Sequence, residues 1–61
     1  METRTIVIDC EYHPSKEGGS PYHLLGFKRG YGTMPRQRWF DSHGEMLAAV
    51  EAANPGVSVT A

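Results

Sequence analysis

Residues 5–12 read T-I-V-I-D-C-E-Y, and their alternation decides the architecture. Successive side chains of a strand point to opposite faces. Ile6, Ile8, Cys10 and Tyr12 therefore fall on one side, and Thr5, Val7, Asp9 and Glu11 on the other. That is the pattern of a strand with one buried face. Something else in the chain must cover its apolar side.

The covering element lies further along. In S-H-G-E, residues 42–45, Ser42 is an N-cap and Glu45 follows three residues on. This capping box satisfies two otherwise orphaned helix N–H groups. Asp41 adds negative charge at the positive end of the helix dipole. Met46, Leu47, Ala49, Val50 and Ala53 then recur at helical spacing as an apolar stripe. Ala48 and Ala52 lie off that stripe and form a flat surface compatible with docking another chain. Asn54-Pro55-Gly56 ends the helix, with Asn54 expected in the left-handed conformation and Pro55 unable to continue the ladder.

Between these signals, H-P-S-K-E-G-G-S-P (13–21) is turn chemistry. Y-H-L-L-G-F-K-R (22–29) reads as a second strand, antiparallel to the first. The Leu24-Leu25 pair breaks its alternation, and Gly26 marks a bulge or a close backbone approach. G-Y-G-T-M-P (30–35) is a loop, and R-Q-R-W-F (36–40) a third strand. Val57 and Val59 alternate with Ser58 and Thr60 in a last short strand. The order β-β-β-α-β predicts a small antiparallel sheet with one helix packed on one face: one α+β domain over residues 1–61.

A chain of 61 residues buries only about 60% of the surface its unfolded form exposes, so its stability is marginal. Proteins of this size usually add disulfides, a metal or a partner. Cys10 is the only cysteine, which rules out a disulfide within the chain and fits a reducing compartment. Self-association into a homodimer, or a partner protein, is expected instead. No stretch approaches the ~20 apolar residues of a membrane helix. The chain begins at Met1 with no apolar leader, and it is expected to be a complete cytoplasmic protein.

The net charge of −1 conceals a segregation. Lys28, Arg29, Arg36 and Arg38 occur with no acid among residues 22–39, whereas Asp41, Glu45 and Glu51 occur with no base from residue 40 onward. Such a dipolar surface can steer partners.

Asp9 and Glu11 raise a catalytic alternative. An apolar strand carrying D-x-E resembles the opening motif of DEDD-type 3′–5′ exonucleases, and that likeness implies carboxylates binding divalent metals for phosphodiester hydrolysis. It covers about seven residues, and the family needs further carboxylates and a larger mixed sheet. A metal-dependent hydrolase using Asp9 and Glu11 is therefore the lowest-ranked reading. A broader metal reading adds His13, of the same strand parity, and His23 across the hairpin, which together supply N/O ligands for zinc or a similar ion. Pro14 directly after His13 points to the strand ending there, so the histidines read as solvated and no metal is assigned. Cys10, on the core face, reads as a small buried hydrophobe rather than a nucleophile.

The candidate binding residues are Lys28, Arg29, Tyr31, Arg36, Arg38 and Trp39, from the segment that also contains Phe40. Arg, Tyr and Trp dominate protein–protein hot spots. The same mixture suits single-stranded nucleic acid, with bases stacking on aromatics and cations tracking phosphates. Trp39 and Phe40 are adjacent, so they face opposite sides, and a sheet covered on one face leaves one ring outward. The expected function is a non-enzymatic module, without cofactor, that binds an acidic protein surface. Nucleic-acid binding ranks second, because the overall pI of about 6.2 argues against it. In size and style, though in no motif, the chain resembles small accessory proteins of phages and mobile elements, including anti-CRISPR proteins. That likeness implies inhibition of host machinery by occlusion.

Overall fold

The computed structural model describes residues 4–15 and 17–61, so Lys16, within the first turn, lies outside the described residues. Along the chain run β1 (Thr5–Tyr12), β2 (Tyr22–Arg29), β3 (Trp39–Phe40), α1 (His43–Ala53) and β4 (Ser58–Thr60). They form one four-stranded sheet in the order β3-β2-β1-β4, with a single helix, an α+β fold.

The first three strands pair antiparallel, as expected, whereas β4 joins β1 in parallel and makes the sheet mixed. The helix explains this difference. A tight hairpin can only reverse the chain, but an 11-residue helix lets it cross the sheet and enter the far edge in the original direction.

Ile6, Ile8, Leu24, Phe40, Met46 and Val50 are the buried core. Met46 and Val50 come from the predicted helical stripe, and burying each contributes roughly 1.5–3 kcal/mol. Cys10, Tyr22, Phe27, Met34, Leu47 and Val59 pack around them. Tyr12 departs from its expected inward place and is 60% exposed. It sits at the last position of β1, where its ring meets Tyr22 at 5.0 Å between centroids.

The muddled alternation of β2 resolves into two irregularities of register. Cys10 stands opposite Leu24, Asp9 opposite Gly26, Ile8 opposite Phe27 and Val7 opposite Arg29, so Leu25 and Lys28 have no partner on β1. An extra residue of this kind flips the parity of everything beyond it. Leu24 and Phe27, three apart, thereby both reach the core side, and Leu25 is left exposed.

The third strand is shorter than predicted. Only Trp39 and Phe40 pair, with His23 and Tyr22 respectively, and residues 36–38 belong to the loop. One further bond, from Leu24 N–H to the Arg38 carbonyl at 2.8 Å, ends the pairing just where Leu25 bulges.

Ser42 caps α1 as expected, its hydroxyl accepting from Glu45 N–H at 3.1 Å. The reciprocal half of the capping box is missing among the described residues, and Glu45 acts only through its charge in the first turn. Asp41 instead accepts a 2.7 Å hydrogen bond from the Ser20 hydroxyl, tying the first turn to the helix start.

Asn54 stops the helix, but not in the left-handed conformation: its φ is −135° and ψ 68°. Its side chain is what matters. Asn54 is 8% exposed; its Oδ1 accepts from Thr33 N–H at 2.7 Å, and its Nδ2 donates to the Thr33 and Val50 carbonyls, both at 2.8 Å. The long loop from β2 to β3 is thus pinned to the end of the helix. Gly32 permits the approach, since a Cβ there would overlap the Asn54 carboxamide.

Candidate functional site

With α1 on one face, the opposite face of the sheet carries the residues of the other parity. Phe40 takes the core place at 3% exposed, and its neighbour Trp39 turns to the face without a helix, where it is half-buried. Register then sets its surroundings. Trp39 stands opposite His23, and His23 stands opposite Glu11 on β1. The Trp39 and His23 rings stack at 4.1 Å between centroids and 3° between planes.

His13 joins this group although Pro14 follows it. Its N–H donates to the Pro21 carbonyl at 2.7 Å, so the ladder continues one residue past the end of β1. The His13 ring lies 5.4 Å from Trp39, and its Nε2 is 3.1 Å from Glu11 Oε1. Glu11, His13 and His23 each offer a ligand atom, all within 4.8 Å of one another. Beside them Tyr12, His13, Pro14, Ser15 and Trp39 line a shallow open depression. Asp9 is no member of the cluster, so the D-x-E pair is not the arrangement the fold assembles. Cys10 belongs to the helix-covered side, where it packs against the core.

The six residues expected to form one binding surface do not all converge. Lys28, Arg29 and Tyr31 lie toward the end of β2 that pairs with Val7. Trp39 pairs with His23 at the other end, six residues away and hence about 20 Å. Tyr31 is 79% exposed, its carbonyl accepting from the Arg4 guanidinium at 2.8 Å, with that guanidinium 5.8 Å from its ring. Arg38 directly precedes Trp39 and donates from Nε to the Pro35 carbonyl at 3.3 Å. Lys28, Arg29, Arg36 and Arg38 are exposed, and among the described residues none forms an ion pair with an acid.

The convergence of His13, His23 and Trp39 depends on the hairpin register. Its sequence signal was the shared parity of Glu11 and His13 together with a histidine across the turn. Ala48 and Ala52 are exposed on α1, and Ala48 lines a second shallow depression with Gln37, Phe40, Asp41, Glu45 and Ala49.

No helix among the described residues is long and apolar enough to cross a membrane. The fold and these residues define a small α+β domain with an aromatic and histidine-rich open sheet face. No protein-family model matches the chain, and comparisons with curated proteins and with solved structures return no match.

Proposed function

We propose that this is a non-enzymatic binding module whose Trp39 end docks on an acidic surface of another protein. The observation that carries the reading is the orientation of Trp39. A large aromatic ring lies on the face that the helix leaves uncovered, and the loop leading into it carries exposed Arg36 and Arg38, which form no ion pair with an acid among the described residues. An aromatic anchor flanked by arginines is the composition of an interface hot spot, and it complements acidic groups on the facing surface. A standard interface takes about 800 Å² from each partner, roughly a fifth of the 4229 Å² this protein exposes. Docking at that scale covers the partner's working surface, and occlusion of that surface is the mechanism we attach to it. The single cysteine supports a reducing, cytoplasmic setting.

Separation of Lys28 and Arg29 from Trp39 weighs against a continuous phosphate-and-stacking track. The test captures partners from nuclease-treated lysate, purifies the captured protein and measures its affinity for the wild type and for Trp39→Ala. One purified acidic protein, bound at least about tenfold more weakly by a folded Trp39→Ala, is the expected result. Capture that disappears on nuclease treatment assigns the surface to nucleic acid and overturns the reading. So does a protein that Trp39→Ala binds equally well, or a captured protein that proves to be a second copy of this chain.

A further inference from the structure

We propose that Glu11, His13 and His23 form a binding site for a late first-row divalent cation of the Zn²⁺ or Ni²⁺ type. The proposal concerns the chain itself and stands whether or not a partner docks on Trp39.

The donor set is two imidazoles and one carboxylate, which suits zinc, nickel or copper; magnesium and calcium prefer oxygen donors alone. Three protein ligands leave a position for water or for a group of another molecule, the arrangement of open zinc sites. Glu11 and His23 come from paired strands, and His13 directly follows the end of β1. Glu11 and His23 are cross-strand partners, and the 2.7 Å bond from His13 N–H to the Pro21 carbonyl holds His13 in the same ladder.

The ligand atoms already lie within 4.8 Å of one another. Around a tetrahedral ion with bonds of about 2.0–2.2 Å, ligand atoms are about 3.3–3.6 Å apart. Closure thus requires adjustments of an ångström or so, within reach of side chains half-buried or exposed at the surface. His23 is held by the flat stack on Trp39, which limits the rotation of its ring and lowers the ordering cost. The close contact between His13 Nε2 and Glu11 Oε1 brings two of the donor atoms together, and such a cation would bridge them.

Trp39 is the only tryptophan, so its emission reports on the site directly. The experiment titrates the full chain with ZnCl₂ by calorimetry and with NiCl₂ by Trp39 fluorescence, using MgCl₂ as the control. One equivalent of Zn²⁺ and of Ni²⁺ should bind at neutral pH, Ni²⁺ should quench Trp39, and Mg²⁺ should do neither. Affinity should fall steeply at acid pH, because imidazole ligands must lose their protons to bind. His13→Ala and His23→Ala should each lose more than the ~10–100-fold that removal of an outer-shell partner costs. Cys10→Ser and His43→Ala should bind as the wild type does, which separates this site from other donors in the chain. Circular dichroism checks that each variant is folded, with His23→Gln replacing His23→Ala if the latter is not. Absence of saturable binding tighter than about 1 mM for both Zn²⁺ and Ni²⁺ overturns the proposal. Binding that survives both histidine substitutions, or that Cys10→Ser abolishes, overturns it equally.

Discussion

Replacing Asn54 with alanine tests how the long loop is held to the helix. The side chain makes three hydrogen bonds, two to the backbone of Thr33 and one to the Val50 carbonyl, from a position 8% exposed. Each such bond contributes about 0.5–1.5 kcal/mol net, and an orphaned buried partner costs about 1–3 kcal/mol. Water can reach the half-open Thr33 side, so the whole loss should be about 2–4 kcal/mol rather than the upper sum. A domain of 61 residues has roughly 3–9 kcal/mol in all, which makes this a large fraction of its stability. Urea unfolding followed by circular dichroism should show a midpoint lower by about 2–4 M, given a slope near 1 kcal/mol/M. Asn54→Asp should cost at least as much at neutral pH. It keeps the acceptor for Thr33 N–H but aims negative charge at two carbonyls and at the negative end of the helix dipole. Those contacts would raise the folded-state pKa of the new carboxyl. The stability of that variant should therefore be recovered at acid pH and lost as pH rises through the folded value. A loss below about 0.5 kcal/mol for Asn54→Ala, the size of a neutral surface change, would refute the pinning role.

Three other substitutions test neighbouring parts of the fold. Gly32→Ala should destabilise by about 1–3 kcal/mol in the same urea assay, because its Cβ would overlap the Asn54 carboxamide and meet the Ile6 side chain at 3.0 Å. Ser42→Ala should cost about 1 kcal/mol of thermal stability through loss of the single cap bond, and Glu45→Ala visibly less, since no reciprocal bond is present. Phe40→Ala should cost about 3–5 kcal/mol as a core truncation, whereas Trp39→Ala should cost clearly less, because Trp39 is only half-buried and loses the His23 stack and part of its ring burial. Equal losses from those two would place both rings in the core and remove the anchor on the uncovered face.

Much of this fold was legible because its signals are local. The period of two in residues 5–12 specified β1, and the helix stripe and Ser42 cap specified the start and the buried side of α1, although Asn54 ends it in a conformation other than the expected one. The opposite facing of Trp39 and Phe40 also followed from strand geometry, although which ring enters the core did not. The candidate site was less legible. Pro14 argued against a strand at His13, yet a proline limits the residue before it chiefly toward extended backbone, which is what a ladder requires. The basic and aromatic segment read as one surface because its residues are near in sequence. An extended β2 carries Lys28 and Arg29 about 20 Å from Trp39.

By itself the sequence determined the inventory of elements, the covered and uncovered parities of β1, and the position of the helix. Tertiary structure decided what depends on partners far along the chain. The unpaired Leu25 and Lys28 set the register of β2, the helix crossing made β4 parallel, and Asn54 turned from a helix stop into a clasp on Thr33, 21 positions away. The meeting of Glu11, His13, His23 and Trp39 is of the same kind. Side-chain spacing along one strand follows from backbone geometry alone, whereas contacts between strands depend on register, and two unpaired residues suffice to change it.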